Sequence, residues 1–110
     1  MFNPGDVVIV DFPGAARSKT RPAVVVSTAT YHATRPDIVV GVLTTKLAKA
    51  KDPTDYRLQD WVAAGLRTAS AFRSYFQTVK QIEVQRRVGS LSAGDWAEVH
   101  ARLRIALAVT

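Results

Sequence analysis

The chain has no cysteine in its 110 residues. That excludes a disulfide framework and any thiolate metal site, and it fits a reducing cytoplasm. No apolar run approaches the ~20 residues needed to span a bilayer. Asp6 interrupts the apolar start and no basic segment precedes it, so neither a signal peptide nor a membrane anchor is expected. There is no Gly-rich phosphate loop, no nucleophile elbow and no His/carboxylate cluster at metal-ligand spacing. The two histidines, His32 in a polar stretch and His100 near the C-terminus, read as surface or half-buried residues rather than a catalytic pair. No paired carboxylates stand in the basic part of the chain, which argues against a metal-dependent nuclease. No metal and no cofactor are expected. Repeats, low-complexity tracts and linkers are also missing.

What is present is a core and a charge. Hydrophobic residues make up 47% of the chain, enough to fold. Two separate cores would hold about 55 residues each, a marginal size, so one domain over residues 1–110 is expected. Fifteen Lys and Arg against nine Asp and Glu give a net charge of +6. Between residues 17 and 51 the bases are Arg17, Lys19, Arg21, Arg35, Lys46, Lys49 and Lys51, and the acid is Asp37. That stretch alone carries the whole net charge. Such a concentration points to an anion-binding surface, whereas an even spread would only aid solubility.

Apolar, β-branched runs at residues 7–12 (VVIVDF), 23–27 (AVVVS) and 38–43 (IVVGVL) read as three strands apolar on both faces. Pro22 opens the second, a position where no ladder donor is needed. Residues 13–20 read as a polar, basic loop bounded by Pro13-Gly14. Residues 46–53 read as a basic loop or short helical turn. A short strand is expected at residues 55–58, one helical turn at 59–64 ended by Gly65, and one or two strands at 69–79. Residues 81–88 fit a turn or a strand. The terminal segment is a helix: Ser92 caps it, Asp95 favours its positive end, and Leu91 staples onto Trp96. Trp96, Val99, Leu103, Ala106 and Leu107 share one face. Short strands followed by one helix predict a mainly β fold, a small, strongly curved antiparallel sheet or barrel with the helix packed on it.

If the second and third strands pair antiparallel, the start of one meets the end of the other. Arg21 and Thr44 then share one end of the sheet. An Arg fork holds two phosphate oxygens and stabilises a pentacoordinate phosphorane; a Thr hydroxyl donates to the same group. Read more plainly, Arg21 is a solvated loop base and the Thr pair ends a strand.

These segments resemble the MazF/PemK-like toxins of bacterial toxin–antitoxin systems. GDVVIVDFP (residues 5–13) looks like that family's first strand, and RPAVVVS (21–27) like its most recognisable signature. IVVGVLTT (38–45) looks like the third strand with its terminal Thr. WVAAGLRTASAFR (61–73) is similar to the W–x–x–A–G–L…S–x–x–R block, and residues 78–96 resemble the approach to the terminal helix. The blocks come in the family's order over nearly the whole chain. The resemblance implies an SH3-like antiparallel β-barrel with a C-terminal α-helix, working as a homodimer. It implies a metal-independent endoribonuclease that cuts single-stranded RNA at short motifs by attack of the ribose 2′-hydroxyl. The catalytic Arg falls on Arg21 and the catalytic Thr on Thr44, with Thr45 the adjacent alternative. Arg17, Ser18, Lys19, Thr45, Lys46 and Ser70 are the expected substrate contacts. A separate antitoxin with a flexible acidic segment is the expected protein partner, lying over the basic surface.

The loop before Arg21 departs from the family, where an acid often stands. Residues 14–20 (GAARSKT) carry no carboxylate, so general-base assistance would need another group, or would be small, with charge stabilisation supplying most of the rate. Trp61, Phe72, Tyr75 and Phe76 are candidates for base stacking or for core packing, and Tyr31 and His32 could border the RNA. Two other readings stay open: a poison of the same fold that binds gyrase, and a catalytically weakened RNA-binding module.

Overall fold

Val7, Val8, Ile9 and Val10 are stiff at χ1, and they build the centre of strand β1 (Asp6–Phe12). The computed structural model describes residues 1–12 and 19–109. β2 (Lys19–Val25), α1 (Ala29–Thr34), β3 (Asp37–Thr44), β4 (Tyr56–Arg57), β5 (Ala71–Lys80), β6 (Arg86–Ser90) and α2 (Ala93–Ala106) follow. Among the described residues the six strands form one antiparallel sheet in the order β4-β5-β3-β2-β1-β6.

The sheet is rolled. Phe12 on β1 and Tyr75 on β5 have two strands between them, about 14 Å if the sheet were flat. Their ring centroids are 6.1 Å apart. The inner face of the roll is lined by Val8, Val10, Ala23, Val25, Ile38, Val40 and Val42. The outer face presents Val7, Val24, Leu43 and Phe72 to Val99 and Leu103 of α2 and to Leu58 and Ala64. The double-sided apolar runs are thereby explained: alternate residues serve different cores. A mainly β barrel with a C-terminal helix is what the sequence predicts.

β5 is one strand, interrupted by a bulge. Gly41 pairs with Phe76 and Leu43 with Phe72, so Arg73, Ser74 and Tyr75 oppose Val42 alone. Residues 81–88 split into a 3₁₀ turn (Gln81–Glu83) and β6. The turn before Gly65 closes with Gly65 N–H to Val62 O at 3.0 Å and Leu66 N–H to Trp61 O at 3.1 Å, and Gly65 has φ +89°. That bonding is the Schellman ending the glycine suggests.

Three expectations are corrected. Residues 29–34 are a helix, where the polar composition reads as loop; Thr28 caps it by accepting from Tyr31 N–H at 3.2 Å. β2 starts four residues early, at Lys19, with Pro22 inside it. The α2 face ends sooner than its apolar pattern: Val99 and Leu103 are buried, while Ala106 and the C-cap residue Leu107 are exposed.

Candidate active site

β2 and β3 pair from Val25↔Val40 to Ala23↔Val42. The next residue of β2 is Pro22, which has no N–H to give to a ladder. From there β2 continues beside β1 alone, with Val10↔Arg21 and Phe12↔Lys19. Continuing the β2–β3 register two residues past Ala23↔Val42 sets Arg21 opposite Thr44. Alternation puts both on the inner face, the side of Val10, Ala23 and Val42. The pairing that the sequence poses as a condition is met.

The two side chains are held differently. Thr44 is 8% exposed, and its Oγ1 accepts the Lys46 N–H at 3.1 Å. The oxygen is thus fixed by the turn that leaves β3, and the hydroxyl proton remains free to donate. Arg21 is half-buried, and among the described residues its guanidinium forms no ion pair and no side-chain hydrogen bond. A forked, permanently charged donor beside a fixed hydroxyl is suited to holding phosphate oxygens.

The remaining predicted residues separate into groups. Lys19 stands opposite Phe12, and Thr45 and Lys46 follow Thr44; all three are exposed. Ser70 is 3% exposed and its hydroxyl donates to the Thr68 carbonyl at 2.8 Å, at the approach to β5. Arg17 and Ser18 lie outside the described residues. Arg35 lies at the other end of the β2–β3 pair, after α1, with its guanidinium 5.2 Å from the centroid of the Tyr31 ring. Tyr31 and His32 are at that far end too, away from Arg21. His32 is buried, one ring nitrogen 2.8 Å from Phe2 O and the other 2.5 Å from Ser27 Oγ. Both bonds are met by the neutral tautomer with a proton on Nδ1, which makes it a structural histidine. His100 is exposed beside Trp96.

The charge run misses two contributors to this end, although the S–x–x–R block already closes on the second, Arg73. Arg57 on β4 pairs with Ala71, the residue that also pairs with Thr44, and donates to Leu47 O at 3.4 Å. Arg73 sits in the β5 bulge with Nε 3.9 Å from Asp55 Oδ2. A charge run along the chain cannot reveal bases delivered by another strand. The acid nearest in register is Asp11, paired with Thr20, whose hydroxyl donates to it at 2.8 Å. Alternation points Asp11 away from the Arg21 face. Among the described residues no group of three or more His, Asp or Glu gathers as a metal site.

Fold and site together define a small rolled β-barrel with a terminal helix and an Arg–Thr pair at one basic end. A model of the PemK-like, MazF-like toxins of type II toxin–antitoxin systems matches residues 3–107, and the chain belongs to this family. Solved structures with the same fold include an endoribonuclease in complex with its cognate antitoxin from a mycobacterial species. It has a TM-score of 0.80 and 19% identity, over 100% of this chain and 98% of that one. The MazE–MazF complex from Deinococcus radiodurans gives 0.75 and 20%, over 99% and 98%. Mycobacterium tuberculosis toxin MazF-mt6 gives 0.73 and 17%, over 92% and 94%. Among curated proteins none matches the chain.

Proposed function

We propose that this chain is an endoribonuclease toxin, acting as one domain over residues 1–110 on single-stranded RNA, with Arg21 and Thr44 as its catalytic residues. The observation that supports the reading is the β2–β3 register, which, continued two residues past its last pair, brings a half-buried Arg and a hydrogen-bonded Thr to the same end of the sheet in a chain of this toxin family. The 2′-oxygen attacks phosphorus and loses its proton. The bond from phosphorus to the 5′-oxygen breaks, and that oxygen takes up a proton. The products are a 2′,3′-cyclic phosphate and a 5′-hydroxyl. Arg21 offsets the charge that grows on the non-bridging oxygens. Thr44 donates to the same group. Lys19, Thr45 and Lys46 guide the strand, joined by Arg17 and Ser18. Charge stabilisation provides most of the rate, because residues 14–20 bring no carboxylate.

The reaction needs no metal. The same basic end is the docking surface for an antitoxin whose flexible acidic segment covers Arg21, a partnership supported by relatives of this fold captured with their own antitoxins. The active form is a homodimer in the cytoplasm. Among the described residues no helix is long and apolar enough to cross a membrane.

The test is cleavage of single-stranded RNA in the presence of a chelator, with mapping of sites and end groups. Cleavage at a short motif, leaving cyclic phosphate ends, is expected. Failure of the wild type to cut RNA contradicts the reading, and binding without cleavage indicates an inert RNA-binding module instead.

A further inference from the structure

We propose that Tyr75 is the base-stacking residue of this site, aimed at the RNA by the bulge in β5; the assignment rests on the ribonuclease reading above. Tyr75 stands between Ala71, which pairs with Thr44, and Phe76, which pairs with Gly41. It opposes Val42 in the bulge, roughly 7 Å of strand from Thr44. Its ring meets the ring of Phe12 at 6.1 Å, tilted by 48°, and Phe12 is the strand partner of Lys19. The ring therefore lies on the inner face at the same end as Arg21 and Thr44.

Exposure separates Tyr75 from the other aromatic residues. It is 54% exposed. Phe72 is fully buried, and Trp61, Phe76 and Trp96 are half-buried against the outer core. Tyr56 is bonded to Asp95, and Tyr31 lies at the far end of the β2–β3 pair. The 54% exposed Tyr75 ring buries less of its own surface than Phe12, the ring it meets, which is 3% exposed.

The local backbone is built to hold it there. Three residues opposing one forfeit ladder bonds, and bulges of this kind re-aim side chains. The lost bonds are replaced by Ser74 N–H to Asp55 Oδ1 at 3.1 Å and Ser74 Oγ–H to Thr54 O at 2.5 Å. Asp55 is buried and also draws the Arg73 Nε to 3.9 Å. The anchors fix the residues on one side of Tyr75, while among the described residues its hydroxyl makes no hydrogen bond. A π-face at that position accepts any unstacked base beside the scissile phosphate, and stacking of this kind tolerates sequence.

The test is steady-state cleavage of a short single-stranded RNA by wild type, Tyr75→Ala and Tyr75→Phe, together with binding of wild type and Tyr75→Ala to copies of that RNA carrying 2′-deoxyribose at the attacking position and one abasic site each. Tyr75→Ala is expected to raise KM about tenfold or more with kcat nearly unchanged, and Tyr75→Phe to behave as wild type. One abasic position next to the scissile phosphate should weaken wild-type binding by a similar factor and leave Tyr75→Ala binding unaffected. A wild-type KM for Tyr75→Ala, or equal losses for Ala and Phe, overturns the assignment while leaving the ribonuclease reading intact. A wild type that neither binds nor cuts RNA overturns both.

Discussion

The Asp95 carboxylate is 1% exposed in the first turn of α2, and it gathers three donors from β4 and the turn after it, 35 or more residues earlier in the chain. Tyr56 O–H donates to it at 2.7 Å, Asp60 N–H at 2.8 Å and Gln59 N–H at 3.1 Å. In the sequence Asp95 is legible as a helix-terminal charge, and Ser92 does cap Asp95 N–H at 3.1 Å. The segment it clamps is not legible, because sequence spacing carries no trace of a contact made across the fold. The consequence for Tyr56 is direct. Burial, then the hydrogen bond and charge of Asp95, hold its hydroxyl well above the ordinary value of 10.0, and Arg102 stacked 5.0 Å over the ring opposes this weakly. A value raised on folding means that the protonated form stabilises the fold below about pH 10, and that this contribution is lost as pH climbs through the folded value. Urea denaturation should therefore show wild type losing stability more steeply than Tyr56→Phe as pH rises from about 10 to about 12. Equal slopes for the two proteins contradict this.

At the scale of elements, the strands are legible because β-branched runs have one good solution, and their double-sided apolarity states that both faces are covered. The bulge in β5 is not legible, since it depends on how many residues of one strand oppose another. Gly41 marks its edge. A Cβ there would lie 2.4 Å from Phe72 Cε1, and Phe72 is fully buried in the outer core. Gly41→Ala should destabilise the protein by about 1–3 kcal/mol through overpacking, as read from urea midpoints; an unchanged midpoint contradicts the packing described. α1 escapes the sequence reading for a different reason. Its residues, ATYHAT, are mostly weak helix formers, and six residues cannot hold a helix by propensity. The cap at Thr28 and the burial of His32 hold it instead. Pro22 is legible as a strand-start residue, but its use is different: it ends the β2–β3 ladder one step before Arg21.

At the scale of the molecule, the net charge of +6 divides by position. Lys19, Arg21 and Lys46 stand at the Thr44 end, joined there by Arg57 and Arg73, whereas Arg35 and Asp37 sit at the opposite end. The run of bases between residues 17 and 51 overstates the site by including Arg35 and understates it by missing the two arginines from β4 and β5. The Arg21–Thr44 pair itself is legible, because antiparallel pairing of two recognisable strands fixes which ends meet. The lost acid of the loop is legible as composition only, since residues 13–18 lie outside the described residues. The central claim is that Arg21 and Thr44 act on one phosphate. Single-turnover cleavage of one RNA by wild type, Arg21→Ala, Thr44→Ala and the double variant tests it most directly. Arg21→Ala is expected to slow cleavage by about 100-fold or more, and the double variant to be far less impaired than the product of the two single effects. Wild-type cleavage by Arg21→Ala, or independent multiplying losses, would contradict the account.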